Sequence, residues 1–87
     1  MNVPDQIRQR LAVLRPSRLE VVDQSALHAG HEGAKSGGGH YLLTIVSPMF
    51  AGHGTLKRHR LVYDALGTLM EREIHAMSMT TLSPEET

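Results

Sequence analysis

Apolar positions change their period several times along the chain, and each change marks an element. Ile7, Leu11 and Leu14 recur at helical spacing, which predicts a short amphipathic helix over residues 3–15. Pro4 suits its opening turn, Asp5 complements the positive end of the helix dipole, and Arg15-Pro16-Ser17 stops it. Leu19-Glu20-Val21-Val22 predicts a strand ending near Asp23. His40 to Ser47 contains Tyr41-Leu42-Leu43-Thr44-Ile45-Val46, whose near-continuous apolar content predicts a central strand partly covered on both faces. A second helical stripe runs through Leu61, Val62, Ala65, Leu66, Leu69 and Met70. It predicts a helix capped by Thr55 and running to about Arg72. Ile74 to Thr81 predicts a last strand, with His75, Met77 and Met79 on one face and Ile74, Ala76 and Ser78 on the other.

Between the first two strands, residues 24–39 are rich in Gly, His, Ser and Ala, and include His28-Ala29-Gly30-His31 and Lys35-Ser36-Gly37-Gly38-Gly39. Such a segment has little to bury, so a mobile loop is expected, of the long kind that is usually functional or disordered. Phe50-Ala51-Gly52-His53-Gly54 reads as a turn and Ser83 to Thr87 as a polar tail. The order helix, strand, strand, helix, strand predicts one α+β domain over residues 1–87, with its core over about 4–82. The expected architecture is a small two-layer sandwich, a three-stranded sheet with helices packed on it.

Composition narrows what this domain can do. Its 87 residues leave room for one core, and a hydrophobic fraction of 40% is that of a globular chain. Phe50, Tyr41 and Tyr63 are the whole aromatic set, so the core must be filled by aliphatic side chains and methionine. A formal charge of zero argues against a free-standing nucleic-acid binder, whose affinity comes largely from neutralising phosphates. Cysteine is absent, which excludes disulfides, a thiol nucleophile and a thiolate metal site of the chain's own. No apolar run approaches bilayer length and Met1 leads into a polar, helix-forming start, so the expected compartment is the cytoplasm, with no membrane partner. No HExxH, GxGxxG or phosphate-loop motif occurs, and Gly37-Gly38-Gly39 leads into a strand rather than a helix. An enzyme is not expected.

The chemistry left is that of six histidines and one basic run. His28 and His31 share one short loop, a composition that suits metal binding, although loop histidines taken alone are more often solvated. His75 alone reads as a half-buried strand histidine with a hydrogen-bond partner. Lys57-Arg58-His59-Arg60 crowds positive groups into the opening of a helix whose N-terminus is already positive, which invites an anionic partner; the plain alternative is a solvated face. His59 is expected to pack or orient its neighbours, and His40 and His53 to be surface or turn residues.

Three segments in order carry a resemblance. Phe50-Ala51-Gly52-His53-Gly54-Thr55-Leu56-Lys57-Arg58-His59-Arg60-Leu61-Val62-Tyr63 resembles the signature of the BolA family, in which Phe and Gly, a five-residue spacer and Arg-His-Arg open a helix. Leu19 to Ser25 is similar to that family's first strand, and Ile74-His75-Ala76-Met77-Ser78-Met79 to its last. The resemblance implies a fold like class II KH domains. It also implies partnership with a monothiol glutaredoxin, in a complex that shares a [2Fe-2S] cluster with glutathione; no cofactor is then expected in the isolated chain, which would be monomeric. The residues it implies as ligands are His75 and a loop histidine, His28, with His31 as the alternative. Family members described as transcriptional regulators imply a second role, DNA contact through the helix bearing Lys57, Arg58, His59 and Arg60.

Overall fold

A computed structural model describes residues 2–24 and 39–87. Helix α1 covers Val3–Leu11, strand β1 Arg18–Asp23, strand β2 Gly39–Val46, helix α2 Thr55–Leu66 and strand β3 Ile74–Leu82. The sheet order is β1-β2-β3. β1 pairs antiparallel with β2, from Arg18 opposite Val46 to Asp23 opposite Tyr41. β2 pairs parallel with β3, a connection that demands a long crossover, here supplied by α2.

One face of the sheet makes the core. Tyr41, Leu43 and Ile45 of β2 point into it, joined by Ile7 and Leu11 from α1 and by Leu14, Phe50, Val62, Leu66, Leu69 and Ile74. Leu19 and Val21 of β1 and Met77 and Met79 of β3 pack against its edge. The alternate residues of β2, His40, Leu42 and Thr44, are half-buried, so the central strand is partly covered on both faces as its apolar run predicts. Two-layer α+β packing and an aliphatic core follow the pattern of the sequence.

Both helices end sooner than their apolar stripes suggest. α1 gives way to a tighter 3-10 turn at Ala12–Leu14, and Arg15 closes it in the left-handed region at φ 51°. That turn still buries Leu14. α2 stops at Leu66 because Gly67, at φ 55°, takes a conformation open to a residue without Cβ; Gly67–Glu71 then continue as a 3-10 helix that buries Leu69. Thr55 does not cap α2. Gly54 holds the cap position and offers no side-chain acceptor, while Thr55 is the first helical residue.

The polar tail belongs to the fold. Ser83 is buried, and a capping box joins it to Glu86 around a short turn at Pro84–Glu86. The described core therefore extends past residue 82. Among the described residues, no helix is long and apolar enough to cross a membrane.

Candidate functional site

The pairing of β2 with β3 contains one irregularity, and it decides where His75 points. Gly39 lies opposite Ile74, but the next residue, His40, lies opposite Ala76. His75 is the extra residue of a bulge, a device that re-aims a side chain out of the regular alternation. The expected grouping of His75 with Met77 and Met79 is thus corrected. Ile74, Met77 and Met79 face the core, while His75, Ala76, Ser78 and Thr80 are exposed. Parity counted from sequence fails by one residue at the bulge.

The bulge brings His75 to His40. Their ring centroids lie 5.1 Å apart with the planes tilted at 44°. Backbone hydrogen bonds fix the neighbourhood: the Gly39 N–H donates to the Glu73 carbonyl at 2.9 Å, and the Gln24 N–H to the His40 carbonyl at 2.7 Å. Gly39 is required here by its surroundings, since a Cβ would fall on the ring of Tyr41, 2.6 Å from Cε2. A shallow pocket of about 330 Å³ opens alongside, lined by Gln24, His40, Tyr41, Ala76, Met77 and Ser78.

This region can offer imidazole nitrogen to a metal. With no cysteine in the chain, every thiolate at a shared centre must come from elsewhere, and imidazole is an accepted substitute for thiolate on cluster iron. His75, exposed on a strand, fits that role. Among the described residues, no group of three or more His, Asp or Glu gathers to hold a metal. A centre here would need donors beyond the described residues. His28 and His31 lie outside the described residues.

The basic run does not form one patch. Lys57 and Arg60 are exposed and His59 is half-buried. Arg58 is turned inward, its side chain only 11% exposed. Its Nε donates to the His53 carbonyl at 2.7 Å. Its Nη1 donates to the Thr81 carbonyl at 3.0 Å and to the Glu86 carboxylate. The anion that the crowded helix opening invites is, for Arg58, the chain's own Glu86. As a residue free to meet a nucleic acid, Arg58 is corrected to a clasp between α2, β3 and the C-terminal turn.

Two contributors escape a reading of the sequence. His40 reads there as a surface or turn residue, yet it lies on β2 with the outward parity of Leu42 and Thr44; that parity is legible, but its meeting with His75 depends on the bulge. Glu86 reads as part of a polar tail. Only the spacing of Ser83 and Glu86, that of a capping box, could mark it.

Comparison with known proteins concerns the chain as a whole. The family described as BolA-like protein matches residues 11–86. SufE-like protein 1 of Arabidopsis thaliana is 41% identical over 86 residues, which are 92% of this chain and 23% of the relative, so the chain spans less than a quarter of that protein. The DNA-binding transcriptional regulator BolA of Escherichia coli is 33% identical over 87 residues, covering 99% of this chain and 80% of the relative. The solved structure of BolA1 from Arabidopsis thaliana matches with a TM-score of 0.85 and 36% identity, covering 100% of this chain and 97% of that one.

Proposed function

The chain belongs to the BolA-like family, and from that membership we propose that it is a non-catalytic adaptor in iron-sulfur trafficking or iron sensing. It would act with a monothiol glutaredoxin, the two proteins holding a [2Fe-2S] cluster between them. The observation that carries this reading is the exposure of His75 at the bulge. A histidine kept for packing would face the core with Met77 and Met79. This one is presented outward on a strand, where a partner can reach it.

His75 would hold one iron through nitrogen, and His28 or His31 would supply a second ligand from the loop. The remaining ligands would be thiolates of glutaredoxin and glutathione. The cluster would supply electron-accepting iron that can be handed on. This chain's own part is to fix one imidazole on a rigid strand. The test is reconstitution of iron and sulfide with the chain, its organism's monothiol glutaredoxin and glutathione. A visible spectrum different from that of glutaredoxin alone supports the reading, and an identical one overturns it.

A second reading, transcriptional regulation through DNA contact, draws on the name of the Escherichia coli relative and on the exposure of Lys57 and Arg60. With Arg58 engaged inside the chain, this surface offers fewer cations than the run of sequence suggests.

A further inference from the structure

We propose that the free edge of β3 is an interface whose occupant is the same strand of a second copy of this chain, paired antiparallel about a two-fold axis at Ser78. β3 ends the sheet order, and among the described residues no strand pairs with its far side. Its backbone shows which groups face that way. The Leu82 carbonyl turns toward β2 and accepts the Ser47 N–H at 2.9 Å, while the Thr81 carbonyl accepts from the Arg58 guanidinium at 3.0 Å. Successive residues of a strand turn their N–H and C=O groups to opposite sides, so Met77 and Met79 share the direction of Thr81 and face outward. Arg58 closes this edge at Thr81, and the bulge at His75 interrupts it at the other end. Between those stops lies a short open segment.

Its chemistry selects a second copy. Sheet edges are ordinarily guarded by charge, Pro or bulges. β1, at the opposite edge, carries Arg18, Glu20 and Asp23, all exposed. From Ala76 to Leu82, β3 holds no charged residue, Pro or Gly, the composition of a segment that pairs with its own kind. With Ser78 on the axis, Met77 of one copy stands opposite Met79 of the other, each such pair exchanging both backbone hydrogen bonds. Both methionines are half-buried at the margin of the core. Pairing therefore joins two apolar margins, and the flexible thioether side chains adapt to the junction. On the outer face Ala76, Ser78 and Thr80 are small and exposed; Ser78 meets its own copy and Ala76 meets Thr80, with no like charges opposed. A contact of one patch with itself closes as a dimer rather than growing into a fibre.

The test uses the full chain with no metal, glutaredoxin or glutathione present, so this proposal and the cluster reading can each fail without the other. Sedimentation velocity from about 1 µM to 1 mM, the span over which weak complexes assemble, should show the mass rising from one copy to two. Ser78→Lys, at an exposed position, sets like charges opposite each other on the axis and should abolish the rise. Val22→Lys, at an exposed position on β1, should leave it intact. In the unaltered chain, the Met77 and Met79 amide resonances should shift as concentration increases. A chain that stays monomeric throughout, as the family resemblance implies, overturns the proposal. So does a dimer whose Met77 and Met79 amides do not move, or one that survives Ser78→Lys. The amide shifts are read on the unaltered chain, so misfolding of a variant cannot obscure the outcome.

Discussion

Arg58, in the opening turn of α2, is joined to Glu86 across 28 residues of sequence, its Nη1 donating to Oε1 at 2.5 Å. The same carboxylate oxygen accepts the Ser83 N–H at 2.7 Å and the Ser83 hydroxyl at 3.0 Å. One ion pair therefore fastens the end of the chain to the helix that follows the Phe50 turn.

Removing Arg58 should loosen three places at once, because its guanidinium also serves the carbonyls of His53 and Thr81. Arg58→Ala is expected to cost about 2 kcal/mol, the scale of losing charged hydrogen bonds from a largely buried group. Urea unfolding measures it. A loss within the few tenths typical of an exposed surface site would contradict the clasp.

Acid should open the same clasp. The hydrogen bond from Arg58, helped by those from Ser83, holds the Glu86 carboxyl down at about 2, against an ordinary 4.5. A carboxyl lowered in the folded state stabilises it fully above the ordinary value, and that contribution is lost as pH falls through the lowered one. Glu86→Gln should therefore melt below wild type at pH 7. The gap in thermal midpoint should close as pH falls from 4.5 toward about 2. A gap independent of pH would contradict the assignment.

Lys57 and Arg60 carry the regulator reading, and they should behave differently from Arg58. Lys57→Ala and Arg60→Ala should leave stability within about 0.5 kcal/mol. If DNA is bound through α2, each should lower the slope of log affinity against log salt by about 0.9 for every phosphate no longer neutralised. Fluorescence anisotropy across a salt series reads this directly; slopes equal to wild type would remove α2 from the interface.

Ser47 is the polar residue at the heart of the packing. Wholly buried, it donates its hydroxyl to the Leu14 carbonyl at 2.5 Å and accepts the Met49 N–H at 3.1 Å. It couples the end of β2 to the turn after α1. Ser47→Ala leaves both partners short and should cost about 1–3 kcal/mol by chemical denaturation.

Gly39→Ala should act on the site as well as on the fold. Its new Cβ would push against the buried ring of Tyr41, and overpacking of this kind costs about 1–3 kcal/mol. It should also move the neighbouring His40, seen as a shift of its imidazole resonances. An unshifted ring would show that the start of β2 is less tightly determined than this packing requires.

How much of this was legible in the sequence depended on whether a local rule or a long-range interaction decided the outcome. Ile7, Leu11 and Leu14, and Val62, Leu66 and Leu69, announced the buried faces of both helical segments because helical period is local. Each helix nevertheless ended early, through a left-handed Arg15 in one case and Gly67 in the other, and apolar stripes run straight through such breaks. The last strand was legible in position, but its faces were not. The bulge at His75 arises from how β3 meets Gly39 and His40, and a single strand carries no trace of its register. Arg58 and Glu86 were likewise invisible as a pair, since nothing in a basic run says which of its members finds a carboxylate far along the chain.

Whether His75 is the chain's ligand to a shared cluster is tested most directly by one pair of spectra. His75 is exposed, so His75→Ala should leave stability within about 0.5 kcal/mol, and the variant can be compared with wild type as a folded protein. Each is reconstituted with monothiol glutaredoxin, glutathione, iron and sulfide, and the visible circular dichroism of the cluster is recorded. The expected result is a distinct spectrum with the wild-type chain that reverts to that of glutaredoxin alone with the variant. Identical spectra from wild type and His75→Ala, both distinct from glutaredoxin alone, would contradict the claim.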